Sequence, residues 1–117
     1  MIDDRILGLH TLSTEIERYE PGASRSGRRA ETLVKTDDLR VVLVTMQRDA
    51  TLQEHLSPGT ITIHALTGKY AVGVGEDEVL LDAGSLVTLA AGVSHSVRAV
   101  EPGAFLLTIA WHGSGAD

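Results

Sequence analysis

Five histidines carry most of the chemistry open to this 117-residue chain. Neutral imidazole is a good ligand for Zn, Cu, Ni and Fe(II), and it exchanges a proton near neutral pH. Cysteine is absent, which removes thiolate zinc sites, a thiol nucleophile and disulfides together. His10 and His112 lie near the termini and read as solvated. His55, His64 and His95 lie further in, among strand-like runs. Three arginines, Arg25, Arg28 and Arg29, could hold a phosphate or a carboxylate. Their setting in the Gly- and Ser-rich stretch Pro21–Arg29, with no aromatic residue interleaved, reads instead as a solvated loop. Glu76, Asp77 and Glu78 fall at an expected hairpin turn, where charge keeps a loop wet, so a paired-carboxylate acid/base role is not expected there. There is no Gly-x-Ser-x-Gly and no Walker A sequence, and Gly73-Val74-Gly75 lacks the third glycine and the helix of a dinucleotide fingerprint. Tyr19, Tyr70, Phe105 and Trp111 are too few for the stacking platforms of most sugar or single-strand binders.

The elements that must position these groups are short. From Glu31 onward, β-rich runs alternate with turn signals. Strands are expected near 31–36, 39–47, 51–56, 60–67, 69–74, 77–81, 85–89, 95–100 and 104–111. Breaks such as Ser57-Pro58-Gly59, Gly68, Gly84 and Gly92 contain residues that tolerate positive φ or cannot continue a ladder. Eight or nine strands with no long helix indicate an antiparallel sandwich or barrel. Residues 1–30 read as an N-terminal arm and loop, and 31–117 as a single domain. Within the arm, Ile2, Ile6, Leu7 and Leu9 fit a short helix or an extended arm, and Leu12, Thr14, Ile16 and Arg18 fit a weak strand.

Periodicity assigns faces. Ile61, Ile63 and Ala65 alternate with Thr60, Thr62 and His64, so His64 is expected on the wet face. Phe105, Leu107, Ile109 and Trp111 share a face. Leu39–Met46 is apolar on both faces and needs a second cover, for which a homodimer interface is the economical expectation. A net charge of −6 argues against a nucleic-acid partner, which requires clustered positive charge. No apolar run approaches bilayer length and the first ten residues do not read as a signal peptide, so no membrane partner is expected and the location is expected to be cytoplasmic.

Two stretches resemble motifs of the cupin superfamily. Leu52–Gly68 is similar to the first motif, in which a His-x-His pair enters a loop, a Glu follows on the next strand and a Gly closes the hairpin. Gly84–His95 is similar to the second, with Gly84, Gly92 and His95 at matching spacing. The resemblance implies an all-β double-stranded β-helix, a jelly-roll barrel, preceded by a short N-terminal arm. It implies a barrel pocket formed by Gln53, His55, Thr60, Ile61, Ile63, His95 and Trp111. Full motifs hold a divalent metal through three histidines and a glutamate. Here Gln53 replaces the first histidine, Thr60 or Ile61 the glutamate, Ala90 the proline and Ala99 the final Asn. His55 and His95 remain, with Gln53 or His64 as weaker candidate ligands.

The expected function is binding of a small molecule in that pocket. The alternative is a metal-dependent enzyme of dioxygenase or isomerase type, using His55 and His95 to hold Fe, Mn, Ni, Cu or Zn. A third reading is a metal-free enzyme in which His55 or His95 acts as a general base. Two imidazoles fall short of the three or four protein ligands of firm sites, so the small-molecule reading leads.

Overall fold

The computed structural model describes residues 3–20, 22, 25–55 and 57–110, and of Glu54 and His55 the backbone alone. It contains one short helix, α1 (Leu12–Arg18), and nine strands: β1 (Arg28–Lys35), β2 (Leu39–Met46), β3 (Thr51–His55), β4 (Ile61–Ala65), β5 (Lys69–Val74), β6 (Asp77–Asp82), β7 (Leu86–Leu89), β8 (His95–Glu101) and β9 (Gly103–Ala110). All nine expected strands are present. The main boundary difference is β1, which begins at Arg28 and so takes up residues expected in the loop.

The strands form two antiparallel sheets, in the orders β1-β2-β9-β4-β7 and β3-β8-β5-β6. This is the double-stranded β-helix expected; the sheets share no ladder, so the jelly roll is a two-layer sandwich that does not close into a barrel. Apart from the β1–β2 and β5–β6 hairpins, consecutive strands pass between the layers, and the inner faces meet over a single core. Val42, Val44 and Met46 of β2, Ile61, Ile63 and Ala65 of β4, Phe105 and Leu107 of β9, Tyr70 and Val72 of β5, and Val97 and Ala99 of β8 are all buried there. The Tyr70 and Phe105 rings meet edge to face, 5.1 Å between centroids, and the Tyr70 hydroxyl donates to the Thr67 carbonyl at 2.9 Å. The ring therefore packs in the core while its polar tip is satisfied at the β4–β5 turn. Gly68 makes that turn with φ at +81°, and a Cβ there would lie 2.6 Å from the Pro102 carbonyl oxygen. Only glycine satisfies both the dihedral and the approach of the β8–β9 turn.

The first 20 residues depart from expectation. Leu12–Arg18 is helical, not a strand, because the half-buried positions Leu12, Glu15, Ile16 and Tyr19 recur every three or four residues and not every two. This helix packs on β2. The Thr45 hydroxyl donates to the Tyr19 carbonyl, and His10 Nε2 lies 3.1 Å from the Leu33 carbonyl oxygen, with Nδ1 3.9 Å from Glu15. His10 is exposed, as expected, and these contacts also tie the arm to the sheet; His112 lies outside the described residues. Arg29 stacks over the Tyr19 ring at 5.3 Å, and Arg28 donates to the Thr51 carbonyl at 2.7 Å, so two of the three arginines serve the fold. Leu43, on the outer face of β2, has no solvent exposure. The second cover that β2 requires is supplied by the chain itself, which removes the reason given above for a homodimer. No helix among the described residues is long and apolar enough to cross a membrane.

Candidate functional site

The two motif segments meet at one end of the sandwich. β8 and β9 are joined by a short turn at Glu101–Gly103 that crosses from one sheet to the other, so His95, at the start of β8, lies at the far end together with Ile109 and Ala110 of β9. β3 and β8 are antiparallel neighbours, and His55 stands in register with His95. The loops before β4 and before β8 are tied as well. The Gly92 N–H donates to the Ser57 carbonyl at 2.9 Å, and Gly92, at φ +79°, turns the chain into that contact.

A β-bulge sets the pairing. Leu52 pairs with Val97 and His55 with His95, so Gln53 and Glu54 together stand opposite Ser96. The extra residue shifts the phase of β3. Leu52 packs against the core, and His55 comes into register with the inward position of His95. Gln53 does not join them. It is exposed and lines a groove of about 350 Å³ on the outer face of the same sheet, with Thr51, Glu78, Ser96 and Arg98. The expectation that Gln53 shares a pocket with the histidines therefore fails on geometry: one inserted residue reverses the side to which the His-x-His spacing would bring it.

His95 is 2% exposed. Its Nδ1 lies 3.2 Å from the Val93 carbonyl oxygen. A carbonyl can only accept, so Nδ1 carries the proton, and in the neutral ring the lone pair is on Nε2, which is buried. On the opposing sheet, Ile61 (2%) and Ile63 (0%) face inward as expected. Thr60 is exposed, and its carbonyl accepts from the Ala110 N–H at 3.0 Å. His64 is half-buried on the outer face, in register with Leu106 and Leu86, away from the inward positions of Ile61 and Ile63. Trp111 lies outside the described residues. No group of three or more His, Asp or Glu among the described residues could hold a metal ion. What the backbone pairing brings together is two histidine positions in register, fewer than the three or four protein ligands of a firm metal site.

Arg40 was not among the expected site residues. It pairs with Ile109 and alternates in phase with Val42, Val44 and Met46, which places it on the inner face at the same end as His95. Its Nη2 donates to Thr32 Oγ1 at 3.3 Å, and its Nε is buried with no partner. The signal was legible in the sequence: within Leu39–Met46 the residue two before Val42 shares its face.

A second hollow of about 300 Å³ lies under α1, lined by Ile16, Glu20, Thr45, Met46, Pro102 and Gly103. Like the Gln53 groove, it lies elsewhere than the histidine pair.

No family model matches the chain, and no curated protein matches it. Solved structures do. An RmlC-like cupin from Shewanella frigidimarina is 18% identical, covering 74% of this chain and 78% of its own, with a TM-score of 0.69. A cupin from Methanocaldococcus jannaschii with a double-stranded β-helix fold is 15% identical, covering 77% and 85%, at 0.67. A protein from Thermus thermophilus is 22% identical, covering 88% and 97%, at 0.72. This is the cupin fold. Identities this low carry the architecture and not the chemistry. In cupin terms, the first-motif loop and the second-motif loop are the two strapped together by the Gly92–Ser57 hydrogen bond, and each contributes one histidine to the paired positions. The cupin glutamate position, on Thr60 or Ile61, holds an exposed hydroxyl residue or a buried alkyl one, neither of them a carboxylate.

Proposed function

We propose that this cupin-fold protein binds a small molecule at the end of the sandwich where His55 and His95 are in register. The supporting observation is that pairing, with the His95 ring buried and its tautomer fixed by Val93. A buried imidazole of fixed orientation, at an end that also carries Ile61 and Ile109, fits the few-polar, mostly apolar composition typical of small-molecule sites. The test is a fragment screen followed by NMR of the histidine rings. Fragments that bind are expected to shift the His95 ring signals and to lose affinity in His95→Leu. Fragments that perturb only the outer-face groove or the hollow under α1 would overturn the reading.

One observation favours a second reading, a metal-dependent enzyme. A backbone carbonyl accepting from Nδ1 is the arrangement that commonly orients a metal-binding histidine through its other nitrogen. His55 and His95 would be the ligands, and two imidazoles alone hold a divalent ion weakly. Elemental analysis of untagged protein distinguishes the readings. Stoichiometric Fe, Mn, Ni, Cu or Zn that disappears in His95→Ala supports the second.

A further inference from the structure

We propose that Arg40 is the anion-binding residue of this pocket, and that the ligand is a small organic acid whose carboxylate meets the Arg40 guanidinium. The inference rests on the pocket reading above and adds the class of ligand. The facing sheets of a sandwich stack about 10 Å apart. Arg40 enters that space from β2 of the five-stranded sheet, and His95 enters it from β8 of the four-stranded sheet, at the same end. The two groups thus enter the inter-sheet space from opposite sheets at one end, the arrangement a single small ligand would use.

The state of the guanidinium points to an anion. Arg40 is half-buried, and one neutral hydroxyl, Thr32 Oγ1, accepts from Nη2. Its Nε–H is buried with no acceptor, and Arg40 makes no ion pair among the described residues. A buried donor on a permanent cation is costly to leave unmatched. The Nε–H and an adjacent Nη–H form a fork that fits the two oxygens of a carboxylate. The cross-strand neighbours do not supply that acceptor: Ile109 is apolar, and Lys35, Arg40's partner on β1, is itself a cation and exposed. In a chain of net charge −6, an inward arginine without a carboxylate partner is a local exception. One half-buried guanidinium matches a singly charged carboxylate better than a dianionic phosphate.

The test uses matched pairs of probes, propionate with propionamide and benzoate with benzamide, titrated into full-length ¹⁵N-labelled protein. The Arg40 Nε–Hε signal and the His95 ring signals are followed. Each acid is expected to shift both, saturably, and to bind on the order of tenfold more tightly than its amide, a charge-assisted hydrogen bond being roughly twice as strong as a neutral one. Arg40→Gln is expected to erase the difference between acid and amide. Arg40→Lys, which keeps the charge and loses the fork, is expected to retain part of it. Arg98→Gln, on the outer face, is expected to change nothing. Equal binding of acid and amide, or undiminished preference for the acid in Arg40→Gln, would overturn the assignment of Arg40 while leaving the pocket standing if His95 still responds. No response of His95 to any probe would overturn both.

Discussion

His55 is in register with His95 because β3 holds one residue more than β8 over the same span. Leu52 faces Val97, and three residues later His55 faces His95, only two residues from Val97. With an unbroken ladder, Glu54 would pair with His95, and His55 would fall on the other phase of the strand.

Deletion of Glu54 is therefore expected to be tolerated. The shortened strand runs in continuous register, and the histidine still stands opposite His95. Insertion of one alanine after Gln53 is expected to put the histidine out of phase. Cross-strand NOEs between the two histidine positions check both: retained in the deletion, lost in the insertion, with the remaining amide spectrum preserved.

Leu43 is expected to be strongly coupled to the N-terminal segment. In the full chain, Leu43→Ala removes a side chain with no exposure and should cost about 2–5 kcal/mol. In a chain lacking residues 1–20 the same substitution should cost much less, because the cover is gone. Urea unfolding of the four proteins gives the double-mutant cycle. Additive costs would show that α1 contributes nothing to burial at Leu43.

Tyr70 is expected to limit stability in alkali. Burial pushes its phenol well above the ordinary value of 10.0. Below about pH 10 both folded and unfolded chains keep the proton, and the term is constant. Above it the unfolded chain releases the proton and the folded chain does not, so stability falls as pH rises. Urea midpoints should drop as pH rises above about 10 more steeply in the wild type than in Tyr70→Phe. At neutral pH the variant should lose about 1 kcal/mol with the hydrogen bond to Thr67. Parallel slopes in the two proteins would contradict the assignment.

Gly68→Ala is expected to destabilise by at least about 2 kcal/mol. The αL dihedral costs an alanine about 1–2 kcal/mol, and the approach to the Pro102 carbonyl adds to it. Thermal unfolding measures the loss. A change below about 0.5 kcal/mol, typical of an unconstrained surface site, would mean that the β4–β5 and β8–β9 turns separate easily.

Much of this architecture could be read from residue order. The nine strands follow from alternation such as Ile61-Thr62-Ile63-His64-Ala65, broken by glycine and aspartate turns, and that alternation placed His64 outside correctly. The cupin-like spacing singled out His55 and His95, whose backbone positions stand in register across β3 and β8. What the spacing could not carry was the bulge, a local change in hydrogen-bond phase that moves Gln53 to the opposite face with no residue type announcing it. The helix at Leu12–Arg18 was hidden for a different reason. Seven residues give only two turns, too short for a period of 3.6 to stand out from one of 2. Arg40 was overlooked because a charged residue at the head of an apolar strand reads as solvated, although its phase is that of the core.

The irregularity in β3 has a consequence beyond ligand geometry. β3 is the outermost strand of its sheet, and β1, the outermost strand of the other, is also broken in register, between Thr32 and Val34. The remaining two margins are a four-residue strand, β7, and one bearing Asp77, Glu78 and Asp82, β6. Strand ends of these kinds are poor templates for a foreign backbone. The same kink that brings two histidine positions into register thus helps keep the molecule from joining edge to edge with its own copies into fibres.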